Sequence, residues 1–421
     1  MHRQENEMNT AMNMNEPLSA KAWTLLFIST LTIMAGATIA PAMPAMKQAF
    51  ASEYQAEFWV KMILTLPGLS IALCAPFIGW LLDHSSKKTL IVVAIFCYGV
   101  FGSFGYVVSD SLWLLLFSRC LLGIAVAGVM VGGMTLAGAY FPGPAYSRFA
   151  GKQAAFSSFG GVVFMALGGV IAGLDWRSTF LIYCLALVLL PAALVFIEEP
   201  SEKCSRVNEP SMATQPPDIK GAFWPIALCY VLALFEIVLL YTIPVHFPFF
   251  AKQIGAEGGA AIGLAIAAML LTMAIVSMSY ARIHRGSFVV TLLKGVGLLG
   301  VGFVLLGLSH FYIHSYVGLI VIGVGLGIIR PNIMTWLISV TPTAARGRIM
   351  GGVTTCIFVG QFISPLLTDG AFQAFGYGLV YRCMGGALVL VTMLSALRYY
   401  WLLRYPKAYS RLESVGSGCK N

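Results

Sequence analysis

Charge is scarce in this sequence. Of 421 residues only 10% are Asp, Glu, Lys or Arg, against 58% hydrophobic. A soluble domain carries about 25% charged residues, so this chain cannot coat a water-facing surface. That excludes a soluble enzyme and a disordered chain, and it argues against nucleic acid as a partner despite a net charge of +9. The nine cysteines are odd in number, scattered and mostly set in apolar runs. They make neither a disulfide framework nor a paired metal spacing, and no metal site is expected. There is no P-loop to couple ATP to transport. Neither a Gly-x-Gly-Asp nor a Gly-x-Ser-Gly pair marks an intramembrane enzyme, and no cluster of metal ligands falls within an apolar run.

Long apolar runs take the place of charge. A helix crosses a hydrocarbon core of ~30 Å with about 20 apolar residues. Twelve such runs occur, over 22–44, 58–82, 88–109, 112–139, 153–173, 179–197, 222–249, 260–280, 288–308, 316–340, 349–367 and 379–402. They predict an all-α polytopic membrane protein with a six-helix bundle over 22–197 and another over 222–402. Tails 1–21 and 403–421 and a polar linker over 198–221 complete the chain. The polar lead from Met1 to Ala20 has no basic region leading to a small-residue cleavage site, so the first span reads as a retained anchor. With the N-terminus in the cytoplasm, Lys47, Lys61, Arg177, Lys252 and Arg382 lie outside and three basic residues lie within spans. The rest of the 26 Lys and Arg lie inside. This bias places both termini in the cytoplasm of an inner membrane and accounts for the net charge without nucleic acid.

The linker carries Pro200, Pro210, Pro216 and Pro217 and divides the spans six and six, the mark of an internal duplication. Arg148, between spans 4 and 5, has its counterpart in Arg346, between spans 10 and 11, and Gly160 has its counterpart in Gly360. Parallel repeats of this kind place a substrate site between the halves near mid-membrane. The loop after span 2 reads Gly79-Trp80-Leu81-Leu82-Asp83-His84-Ser85-Ser86-Lys87-Lys88. It resembles the major facilitator superfamily pattern Gly-x-Leu-x-Asp-Arg-x-Gly-Arg-Arg/Lys, with His84 and Ser86 as departures. Arg119-x-x-x-Gly123 in span 4, Trp176-Arg177-x-x-Phe180 before span 6, and Pro331, Arg346-Gly347, Gly351, Gly360 and Pro365 in the second half are similar to the same family. The stretch Ala37 to Pro44 resembles its twelve-helix drug:proton antiporter branch. Gly160, Gly168 and Gly169 fit that branch's span-5 pattern, while Phe164 and Met165 stand where it has Gly-Pro and Pro365 holds that place in the second half.

The resemblance implies that spans 1, 4, 7 and 10 line the cavity, that Arg119 takes part in proton coupling, and that Gly79, Asp83, Lys87 and Lys88 form a gating loop. The residues themselves point to three deep charges. An ionised side chain at the centre of a span costs ~2.5–3.5 kcal/mol on insertion scales and normally faces the bundle interior. Glu236 is the carboxylate expected at mid-depth, where its protonation would respond to its surroundings; the alternatives are a hydrogen-bonded neutral Glu or a permanent partner of an Arg. Arg119 and Arg330 lie at comparable depth, and an Arg–Glu pair or an Arg–Glu–Arg set is expected. Arg330 is equally suited to hold an anionic substrate through its fork, and Arg119 to a structural role. His246, between Pro244 and Pro248, reads as a packed interfacial histidine rather than a titrating one. Gly123, Gly160, Gly168, Gly169, Gly360 and Pro365 are expected to serve helix packing.

These features predict a monomeric secondary transporter working by alternating access, with no cofactor and a proton gradient as its energy source. Its partners are a small-molecule substrate and the lipid bilayer. Proton-coupled efflux of a small amphipathic compound (a drug, siderophore or metabolite) is the leading expectation. A proton-coupled uptake symporter is the alternative, and an intramembrane enzyme or a sensor is the remote one.

Overall fold

Among the described residues twelve helices are long and apolar enough to cross a membrane, so the chain is a multi-pass membrane protein. The computed structural model describes residues 19–141, 144–200, 223–283, 287–342 and 345–404, and no strand occurs among them. Residues 1–18, 405–421 and most of the expected linker (201–222) lie outside the described residues. The first half holds α1 (Ala20–Ala49), α2 (Ala56–His84), α3 (Lys87–Val107), α4 (Leu112–Tyr140), α5 (Pro144–Leu174) and α6 (Arg177–Phe196). The second holds α7 (Phe223–Gln253), α8 (Gly258–Met278), α9 (Phe288–Gly307), α10 (Tyr312–Val340), α11 (Arg346–Phe375) and α12 (Tyr377–Arg404). Successive helices run antiparallel, so α1 and α7 both start at one end, here the linker end; the opposite end is the far end.

Local chemistry sets the helix boundaries. Ser19, Ser86, Ser111 and Ser287 precede α1, α3, α4 and α9, and each side chain accepts a hydrogen bond from a backbone N–H of the first turn, which satisfies a donor that the helix cannot. Gly376, at φ +76, makes the one-residue break between α11 and α12, a conformation that a side chain would strain. α1 is interrupted by a 3-10 turn at Ala40–Ala42 containing Pro41 and runs on to Ala49, beyond the expected end at 44. α11 also runs past its expected end at 367, to Phe375. Its last turns carry Asp369 and Gln373, and the polar side chains find partners inside the protein. Leu73, Val188 and Leu397 are each at least 68% exposed, as expected of faces that meet lipid rather than water.

Small residues bring the helices together. A side chain on Gly123 would start 2.6 Å from the Pro67 carbonyl, one on Gly160 3.0 Å from Thr30, one on Gly168 2.4 Å from the Thr38 carbonyl, and one on Gly360 2.3 Å from Ile237. These contacts fasten α4 to α2, α5 to α1, and α11 to α7 within the halves. Gly169 is different, because it crosses the seam between them. Its missing Cβ would fall 2.7 Å from the Gly259 carbonyl and 2.9 Å from Gly263 on α8. On the other side of the seam a side chain on Gly68 of α2 would start 3.0 Å from Gln361 and from the Phe358 carbonyl of α11. Other glycines face open space: side chains at Gly133, Gly151 and Gly351 would meet nothing within 4 Å.

Because the atoms facing Gly169 are backbone and cannot move aside, Gly169→Leu is expected to destabilise the protein by about 1–3 kcal/mol. Gly351→Leu, at an open position, is expected to be near neutral. Thermal unfolding in detergent compares the two.

Candidate functional site

Glu236 lies thirteen residues into α7, about 20 Å from the linker end at the helical rise. Arg330 lies on α10, one residue before Pro331. Arg330 Nη2 donates to Glu236 Oε2 at 3.1 Å and Nε donates to Oε1 at 3.3 Å, so the guanidinium fork meets the carboxylate with both arms. Glu236 is 5% exposed and Arg330 35%. Both belong to the second half. Tyr241, on α7, lies within electrostatic reach of Arg330, and its hydroxyl comes within 3.7 Å of where a side chain on Gly36 of α1 would begin. The pair therefore sits beside the seam, and the exposed part of Arg330 is free for a further contact.

Arg119 does not join them, and the expected Arg–Glu–Arg set does not form. Its Nη2 donates to the Gly102 carbonyl at 2.8 Å and its Nε to the Ser118 hydroxyl at 3.4 Å. Its guanidinium lies 4.8 Å from the Phe180 ring centroid and 5.1 Å from that of Tyr183. The cause is the packing of α3, α4 and α6. Gly102 lets Tyr183 close in, since a side chain there would start 2.4 Å from it, and α4 turns Arg119 into that pocket. It is fully buried inside the first half, stabilised by carbonyl and ring faces.

The loop after α2 is tied to its own half. The Lys87 and Lys88 backbone N–H groups each donate to the Glu199 carboxylate at 2.9 Å, and the Ser86 hydroxyl donates to it at 2.6 Å. A carboxylate at a helix N-terminus meets the positive end of the dipole. Burial pushes the Glu199 carboxyl up, but the Ser86 hydroxyl and the Lys88 and Lys87 amides outweigh it and hold the group below its ordinary value. Asp83 is exposed, and Gly79 has open space around it. His246 is buried, bonded through Nε2 to the Thr368 hydroxyl at 2.8 Å and stacked 4.0 Å from Phe372, a packed residue.

A second charged group went unnoticed in the sequence. Lys61, counted among the outside charges, is fully buried, with its ammonium 2.6 Å from Glu57 and 2.5 Å from Asp369. Glu236 is thus not the sole buried carboxylate, since Asp369 is 6% exposed. The signal was present: Glu57 and Lys61 stand one helical turn apart at the head of an apolar run.

The Major Facilitator Superfamily model matches residues 25–365 and 290–415 of the chain. Over 166 residues the chain is 31% identical to the probable galactarate/D-glucarate transporter of Bacillus subtilis (strain 168), covering 37% of this chain and 33% of that relative. The chain thus matches about a third of the relative's length. Among solved structures it is similar to a D-xylose–proton symporter, with a TM-score of 0.73 at 13% identity over 89% of this chain and 96% of that one. It is also similar to a bacterial homologue of the human lysosomal transporter Spinster in an inward-facing, unoccupied conformation, with a TM-score of 0.70 at 15% identity over 92% and 98%. At such identities the likeness is one of fold.

Two outcomes follow from this geometry. Arg330→Gln leaves a buried carboxylate without its partner and is expected to cost roughly 3 kcal/mol. In a Glu236→Gln background the same change should cost less by at least about 1 kcal/mol, read as thermal unfolding of the four proteins. Glu199 stabilises the fold in its charged form. That contribution is full above the ordinary glutamate value of about 4.3 and is lost as pH falls through the lowered folded value. Glu199→Gln should melt below wild type at pH 7, and the gap should narrow as the pH falls below the ordinary glutamate value, measured by melting across the acid range.

Proposed function

The chain belongs to the Major Facilitator Superfamily, and from that premise we propose a proton-coupled secondary transporter of small organic anions, working by alternating access with its linker end in the cytoplasm. The observation that supports this reading is the two-armed bond between Glu236 and Arg330. While Glu236 is charged it occupies the guanidinium fork. Protonation removes its charge and frees the fork for a carboxylate of the cargo, which matches that planar geometry. Proton and anion then load the same state of the carrier, and their joint passage is symport, the uptake mode weighed from the sequence. A relative described as a probable galactarate/D-glucarate transporter fits a carboxylate cargo.

Export of a small amphipathic compound in exchange for protons is the second reading, favoured by the antiporter-like stretch Ala37 to Pro44. Exchange needs proton and cargo to compete for one group. A cationic cargo competing for Glu236 would have to displace Arg330 and sit beside its positive charge, so the geometry favours symport.

Proteoliposomes with a pH dye in the lumen distinguish the readings. A panel of organic anions and cations is added outside, D-glucarate among them. Symport acidifies the lumen on addition of an anion; exchange makes it alkaline. Glu236→Gln is expected to abolish the pH change while keeping anion counterflow, and normal proton flux in that variant would overturn the role given to Glu236.

A further inference from the structure

At the far end the two halves are held by charges that the Glu236–Arg330 pair does not touch. Lys61 belongs to α2 of the first half and Asp369 to α11 of the second, and the 2.5 Å bond between them crosses the seam. A second bond crosses beside it, from the Tyr377 hydroxyl of α12 to Glu57 of α2. The Lys61 ammonium also lies 5.0 Å from the ring centroid of Phe249 on α7 and 5.8 Å from that of Tyr377. The contacts of this one side chain therefore reach three helices of the opposite half. We propose that Lys61 and Asp369 form the latch of the far-end gate: their bond holds that end shut in the state seen here and must break before the far end can open.

Three features suit the group to a latch rather than a permanent rivet. Each charge keeps a partner on its own half. Glu57, one turn before Lys61, accepts from it at 2.6 Å, and Gln373, one turn after Asp369, donates to it at 2.5 Å. Separation of the halves therefore leaves neither charge bare, which removes the largest penalty of splitting a buried ion pair. Water is also at hand. A cleft of about 570 Å³ opens between the halves at this end, lined by Lys47, Glu57 and Ala51 on one side and by Gln253, Gln373 and Tyr377 on the other. Glu57, 17% exposed, reaches that cleft, so the parted charges can hydrate at once. Beneath the latch the seam is glycine against backbone and an amide side chain, at Gly68 with Phe358 and Gln361, a contact that can part without unthreading large side chains.

The latch involves neither the cargo nor the coupling ion, so its test stands apart from that of Glu236. Spin labels on cysteines introduced at Ser52 and Ala374, both exposed at the far end on opposite halves, report the distance across the gate in proteoliposomes once the native cysteines are replaced. The wild-type latch is expected to give one dominant short distance. Asp369→Asn should raise the long-distance population several-fold, and Tyr377→Phe should raise it less. Lys61→Gln combined with Asp369→Asn should open the gate far less than the two single effects added together, because both remove the same Lys61–Asp369 bond. Monodisperse elution and a wild-type helical spectrum establish that each variant folds, and Lys61→Gln, which removes the same bond from the other half, serves where Asp369→Asn does not fold. A distance distribution unchanged in the folded Lys61 or Asp369 variants would overturn the latch, as would a double variant in which the two single effects simply add.

Discussion

Hydrocarbon offers an ionised side chain no water, so each charge within a span must find its counter-charge or hydrogen-bonding partners inside the protein. Three basic residues within the spans meet this demand in three ways. Arg330 shares both arms of its fork with Glu236. Lys61 divides one ammonium between Glu57 and Asp369. Arg119, with no carboxylate bonded to it among the described residues, uses a carbonyl, a hydroxyl and two ring faces. Each solution needs helices in a fixed register, because a shift of one residue turns a side chain by about 100° and would carry it away from its partner.

Apolar packing alone cannot set that register. Lipid tails are as apolar as leucine, so helices gain little from hiding hydrophobic faces on one another and associate through close contact and polar bonds. Division of labour follows from this. Glycines such as Gly123, Gly168 and Gly169 bring backbones within touching distance, while the bonds of Lys61 and of Glu236 decide which residues meet. The same division explains how the seam between halves can be both tight and separable: its apolar part is smooth, and its specificity is concentrated in a few polar atoms at one end.

Much of the architecture was legible because a span is a statement about length and polarity, both readable from residues alone. Twelve runs, the midpoint linker and the paired landmarks Gly160 and Gly360 sufficed for the bundle plan. Partnerships were legible only where depth left one choice: Glu236 was the single carboxylate expected near Arg330, so their meeting could be anticipated. Arg119 shows the limit. Depth put it near Glu236, but rotation about α4 decides its direction, and that depends on Gly102 and Tyr183 of neighbouring helices. Lys61 and Asp369 were hidden for another reason. Each stands near the end of its run, where a charge reads as solvated, and Asp369 falls beyond the apolar stretch that defined its span. Only the meeting of α2 with α11 turns these two rim residues into a buried pair.

Which half of the molecule holds each pair separates their tasks. Glu236 and Arg330 sit on α7 and α10, within one half, so a rocking motion of the halves carries them together and leaves their bond intact. Only a proton on the carboxylate or a competing anion on the guanidinium alters it, which makes the pair responsive to chemistry and indifferent to motion. Lys61 and Asp369 sit on opposite halves, so motion breaks their bond whatever is bound. For the two to be coupled, a change at mid-membrane must alter the energy of a seam about 13 residues of helix away, on the order of 20 Å. α7 provides a continuous path: it carries Glu236 and Tyr241 in its middle, His246 bonded to Thr368 of α11 further along, and Phe249 beneath the Lys61 ammonium near its end. Pro244 and Pro248 interrupt the backbone bonds of this helix between the two sites, the position at which a bend can transmit a small displacement from one to the other.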